Sequence, residues 1–172
     1  MNNPPYILVD EIGAIVTAAK TALALDVLNY QYGYVDELKN TLANYDKSPT
    51  YAGLKFPLVY LVQPFTITRG EFRHYGKATG LEIFIINKTQ QGIKAEQRMT
   101  DNFKPVIYPI YRELISQITK SIAFVDSMPG KVTHRTTDLY YWGETQQEKM
   151  INDVFDCMYI TGMELTIKNN CP

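Results

Sequence analysis

Very little in this sequence is suited to common catalytic chemistry. There are two cysteines, two histidines and one tryptophan in 172 residues. Structural zinc usually takes four clustered Cys or His ligands, and here both residue types are few and scattered, so no metal or cofactor is expected. His74 and His134 lie far apart, and Cys157 and Cys171 do not suggest a disulfide framework, so two free thiols in a reducing compartment fit better. Charge of one sign is also missing: 17 basic residues stand against 18 acidic, for a net charge of -1. That balance gives no electrostatic footprint for nucleic acid, and no sequence-specific binding is expected. No apolar run approaches the roughly 18 residues of a membrane span, so no membrane partner is expected. The opening "MNNPPYILVDEIG" lacks the basic start and long apolar core of a secretory signal, which points to synthesis in the cytoplasm. Phosphate-binding glycine loops and the GxSxG elbow are absent as well.

What is abundant is tyrosine. Thirteen Tyr and seven Phe accompany a hydrophobic content of 45%, enough for one globular domain with a substantial core. Tyrosine in excess suits interfaces, where the ring supplies apolar area and the hydroxyl a hydrogen bond.

The periodicities predict an α+β domain spanning residues 1–172. Tyr6 to Leu25 has helical spacing, and Asp26 to Tyr34 alternates like a strand. Tyr34 to Tyr45 returns to helical spacing through Val35, Leu38 and Leu42. Leu58–Val62, bracketed by Pro57 and Pro64, reads as a central strand covered on both faces. Leu81–Thr89 reads as a second buried strand. From Glu96 to Ala123, one apolar stripe runs through Met99, Phe103, Ile107, Ile110, Leu114, Ile118 and Ile122. Pro105 and Pro109 predict a break near Lys104, or else a kink. "KVTHRTT" reads as an exposed strand. In the terminal strand "CMYITGMELTIKN", Tyr159, Thr161, Met163, Leu165 and Ile167 are expected to share one face. The resulting picture is a mixed or antiparallel sheet packed against an N-terminal helix and a long central helix. Loop excursions are expected near 68–80 and 126–150, long enough to reach neighbours.

The chemical candidates are few. A Cys157–His134–Asp arrangement is the sharpest enzyme hypothesis, since a thiolate nucleophile needs a base and an electropositive niche. Cys157 lies between apolar residues, where free cysteine packs as a core residue. No catalytic residue is therefore assigned, and a small cysteine-dependent enzyme stands as the alternative function. Asn152, Asp153 and Asp156 read as a capped corner feeding the last strand, not as a catalytic carboxylate pair. Tyr75, Tyr140, Tyr141 and Trp142 are candidate interface anchors, because Trp and Tyr dominate hot spots. Arg98, Lys104 and Arg112 read as a solvated helix face.

Several stretches carry a family resemblance. "NYQYGYVDELKNTL", "KFPLVYLVQP", "RMTDNFKPVIYPIYRELISQI", "YYWG" and "INDVFDCMYITGMELTI" occur in an order and spacing that resembles tail-region proteins of bacteriophages of Bacteroidota, including crAss-like phages. The resemblance runs from about Asn29 to Ile167, with Lys131 to Met150 an insertion relative to a compact tail terminator. It implies an N-terminal helix, a mixed or antiparallel sheet, a helix packed across it and a final strand. It further implies a non-catalytic virion protein: a tail-terminator, tail-completion or connector subunit forming a ring at the neck. The partners would be copies of itself and portal, neck or tail proteins, with DNA passing through the ring.

Overall fold

A computed structural model describes residues 6–46, 55–69, 75–90, 92–125, 132–139 and 155–168. Its first element, α1 (Leu8–Ala22), buries Leu8, Ile12, Ile15, Val16 and Ala19 along one face. Asp10 and Glu11 stand in its first turn and Lys20 in its last, matching the helix dipole at both ends. The helix stops in a Schellman turn: Ala24 N–H donates to Thr21 O and Leu25 N–H to Lys20 O, with Ala24 at φ 51°. An alanine thus occupies a left-handed position that favours glycine.

Strand β1 (Asn29–Gly33) follows, then α2 (Val35–Asp46), then β2 (Leu58–Val62) parallel to β1. All five residues of β2 are buried, as its apolar run requires. β3 (Thr66–Arg69) and the fourteen-residue β4 (Tyr75–Lys88) come next, antiparallel to each other. The expected 68–80 loop is therefore strand at both described ends, and residues 70–74 lie outside the described set. Pairing overrides the polar sequence here, because β7, described below, covers β4 along its whole length. Gly76 belongs to that close approach: a Cβ there would stand 3.1 Å from Ile67 Cγ2 on β3.

The central helix is continuous. α3 (Ala95–Arg98) leads into a π-helical segment (Met99–Ile107) and then α4 (Tyr108–Lys120). The expected break near Lys104 is absent. The wider π turns carry Pro105 inside the helix by moving the carbonyl four residues back away from its ring, and Pro109 sits in the first turn of α4. Phe103, Ile107, Ile110, Leu114 and Ile118 form the buried stripe. Ile122 departs from it: the helix has ended at Ser121, and the side chain is 75% exposed.

β5 (Phe124–Val125), β6 (Arg135–Leu139) and β7 (Phe155–Lys168) complete the sheet. The strands run β1-β2-β4-β7-β5, with β3 also on β4 and β6 also on β7. The last strand in sequence is thus central in space, flanked by β4 on one edge and by β6 and β5 on the other. Its ladder with β4 shifts twice, between Ala78/Leu81 and between Leu81/Ile83, next to Gly80 (φ +71°) and Gly162 (φ +66°). These bulges reset the side-chain parity and curl the sheet. Ile160 therefore shares the core with Met163, Leu165 and Ile167, while Tyr159 packs on the opposite face. The expected single-parity face fails at Gly162.

Two apolar layers result. On one face, α1, the π-helical segment and α4 cover Val59, Leu61, Ile83, Ile85, Met158 and Ile160. On the other, Leu38 and Leu42 of α2 join Leu58, Tyr60, Phe84, Ile86, Phe155 and Cys157. The fold is α+β, with a mixed sheet and the two expected helices packed on it.

Candidate functional site

The most organised chemistry among the described residues is a buried polar cluster at the end of the β4–β7 ribbon. Asn87 on β4 and Asp156 on β7 are direct cross-strand partners. Arg98 and Asn102, four apart on the central helix, reach the same point, as i, i+4 spacing allows. Arg98 Nη1–H donates to Asp156 Oδ1 at 2.6 Å, with the two side chains 1% and 0% exposed. Asn102 Nδ2–H donates to Asp156 Oδ2 at 2.9 Å and to the Lys88 carbonyl at 3.3 Å. Asn87 Nδ2–H donates to Asn102 Oδ1 at 2.7 Å. The guanidinium also donates to the carbonyls of Ile93 and Gln90. Each carboxylate oxygen accepts a hydrogen bond, so Asp156 is engaged as a buried anchor.

This corrects two expectations. Asp156 is not part of a capped corner but the second residue of β7, ion-paired in the core. Arg98 is not on the solvated face, although Lys104 and Arg112 are exposed as expected. Asn152 and Asp153 lie outside the described residues. No local pattern signals the pair, because Arg98 and Asp156 are 58 positions apart. Its one hint is composition: Asn and Asp at the mouth of an apolar strand.

Cys157 is fully buried, and desolvation pushes its thiol well above its ordinary range, with Asp138 and Asp156 adding to the rise and a hydrogen bond from the Ile85 backbone opposing it. That is the reverse of an activated thiolate. His134 stands well away from it. The register sets Leu139 opposite Cys157, and His134 lies five positions further along, roughly 16 Å of strand. Its imidazole is engaged elsewhere, with Nδ1 2.8 Å from the Val132 carbonyl and Nε2 2.7 Å from the Tyr111 hydroxyl. A carbonyl only accepts, so Nδ1 donates to Val132, and in a neutral ring Nε2 accepts from the Tyr111 hydroxyl. Tyr108, one turn earlier on α4, donates to Asp138 Oδ2 at 2.6 Å. Two tyrosines of α4 thereby strap β6 onto the sheet. Among the described residues, no group of three or more His, Cys, Asp or Glu could hold a metal ion. No helix among them is long and apolar enough to cross a membrane.

The exposed aromatic residues are the remaining candidates. Tyr75 opens β4 and is 49% exposed, as an interface anchor requires; Ile67 of β3 is also exposed, on the opposite face of the sheet. Tyr140, Tyr141 and Trp142 lie outside the described residues. Sequence reasoning missed Tyr32 and Tyr34, 53% and 55% exposed at the end of β1. Their corner is firmly built. Glu37 accepts from Tyr34 N–H at 2.8 Å, and Tyr60 O–H donates to the Tyr34 carbonyl at 2.9 Å. Gly33, at φ +151°, leaves room for both, since a Cβ would collide with the Glu37 carboxylate and the Tyr60 hydroxyl. The signal for it was the alternation in "NYQYGY", which places consecutive tyrosines outward at a strand end. A shallow groove of about 290 Å³ between α1 and α4 is floored by Ile15 and rimmed by Glu11, Lys120 and Ile122.

No protein-family model matches the chain, and no curated protein matches it either.

Proposed function

We propose that this chain is a structural virion protein that acts by assembly, as one subunit of a ring at the neck of a bacteriophage, in a tail-completion or connector role. One observation carries the reading. The sheet presents exposed apolar and aromatic side chains at unlike places: Tyr32 and Tyr34 at the end of β1, and Ile67 and Tyr75 on opposite faces of the β3–β4 pair. A ring forms when one patch binds a different patch on the next copy and the rotation closes. The architecture agrees with the layout that the tail-terminator resemblance implies, though a fold alone does not fix a function. Its partners would be copies of itself and portal, neck or tail proteins. The competing reading, a small cysteine-dependent enzyme, gains no support from a Cys157 sealed in the core far from His134.

The test is the copy number of the protein in purified virions, measured by quantitative mass spectrometry against the portal protein. A small fixed count, equal to the portal's or a simple fraction of it, is the expected result. Hundreds of copies would make it a tube or capsid component. Absence from the particle would refute the structural role.

A further inference from the structure

We propose that neighbouring subunits join by extending the sheet: the free edge of β1 in one copy pairs, antiparallel, with the free edge of β6 in the next. The inference rests on the ring reading above and names the contact that would build the ring.

The two edges are opposite sides of one strip. Across the upper half of the ribbon the order is β1-β2-β4-β7-β6, because Val62 lies opposite Glu82, Ile83 opposite Ile160, and Thr161 opposite Arg135. Among the described residues, no strand pairs with the outer edge of β1 or of β6. The β1 edge can be read group by group. Asn29 N–H donates to the Pro57 carbonyl, and the Gly33 carbonyl accepts from Gln63 N–H, so odd-numbered residues face β2. In a parallel ladder the N–H and C=O of one residue point to the same side, so those of Tyr30 and Tyr32 point outward, away from the sheet. Monomeric proteins blunt such edges with lysine, proline or bulges. "NYQYG" has none of these, and among the described residues no strand pairs with its edge beside the exposed Tyr32.

Direction and charge select the partner. β1 and β2 run one way, β4 the other, β7 back and β6 reversed again. A copy displaced sideways in the plane of the sheet therefore sets its β1 antiparallel to the neighbour's β6. Each strand is five residues long, so the edges match. The start of β6 meets the end of β1 in this arrangement, placing exposed Arg135 beside exposed Asp36 and Glu37. No Lys or Arg occurs between Thr21 and Leu38, and no acid occurs in 132–137. Asp138, the acid at the other end of β6, is held by Tyr108. The contact is heterologous, so each copy offers one edge on each side, and the curl of the sheet supplies the rotation that closes the ring.

Hydrogen exchange tests the idea on the native chain, with assembled and monomeric fractions separated by size and checked by light scattering. The Tyr30 and Tyr32 amides and the outward amides of β6 should exchange at least ten-fold more slowly in the assembly. Assembly with these amides as fast as in the monomer overturns the edge contact and leaves the ring reading standing. Protection of β1 in particles that stop at dimers also overturns it, since β1 would then be pairing with itself. Failure of the native chain to assemble at any concentration removes both readings. Arg135→Glu should raise the concentration needed for assembly at least ten-fold, and adding Asp36→Lys should restore it. If R135E assembles as well as the native chain, or D36K fails to rescue it, the pairing direction is wrong.

Discussion

Asp156→Ala is the most informative single change for stability. It removes the carboxylate that holds Arg98 Nη1 at 2.6 Å and Asn102 Nδ2 at 2.9 Å, in a place where neither charged side chain reaches water. Arg98 keeps its bonds to the carbonyls of Ile93 and Gln90, but the buried guanidinium loses the carboxylate that stood 2.6 Å from it. Breaking such a pair from one side costs about 3–5 kcal/mol. For a domain of this size each kcal/mol lowers the melting temperature by roughly 2–4 °C, so a fall of roughly 6–20 °C is expected. The molecule carries its own control. Lys77 and Glu164 are also 2.6 Å apart, on the same two strands, but 55% and 49% exposed. Glu164→Ala should cost no more than about 1 kcal/mol, because water screens that pair and already solvates both groups. Equal distance with unequal cost isolates burial as the cause. The assay is urea unfolding followed by circular dichroism, with thermal melts in parallel. The double variant Arg98→Met with Asp156→Leu should cost less than the sum of the singles, since it leaves no lone charge. A D156A penalty within about 1 kcal/mol of that for E164A would refute the reasoning.

Three further outcomes follow from local features. Ala24→Gly should stabilise the protein by roughly 0.5–1 kcal/mol in urea unfolding, because it relieves a Cβ at φ 51° in the turn that ends α1; a loss of stability would contradict the Schellman assignment. Gly33→Ala should cost clearly more than Gly162→Ala. Both positions have positive φ, but only Gly33 has Glu37 and Tyr60 where the methyl would go, and equal penalties would mean that the corner is not tightly packed. Stability should also fall as pH rises from about 9 to 12. Burial raises the Cys157 thiol and pushes Tyr60 up to about 12, and Tyr30 and Tyr159 are raised further, so above the ordinary thiol and phenol values of about 8.5 and 10 the unfolded chain releases protons that the native state retains. Urea midpoints that stay flat across that range would show that these groups titrate freely in the native state.

The sequence by itself determined the elements whose pattern is local. The stripe from Phe103 to Ile118, the face of α1 and the wholly buried β2 follow from apolar spacing, and that spacing holds whatever the partners are. The burial of Cys157 followed in the same way from its apolar neighbours. Tertiary structure decided everything that depends on partners distant in the chain. "YGKATG" became strand because β3 and β7 lie on either side of it, although its own residues are turn-like. One residue at Gly162 reversed the facing of half of β7, and nothing in a period-two pattern shows where a bulge falls. Arg98 looked like an ordinary helix-surface charge. It is buried because β7 delivers Asp156 to it from 58 residues away. The outer edges of β1 and β6, which pair with nothing among the described residues, belong to the same class: a strand is an edge only by virtue of what does not pair with it. Helical and strand periodicity is written within a few residues, whereas pairing, register and edges are settled by which distant segments can bury their backbone groups together.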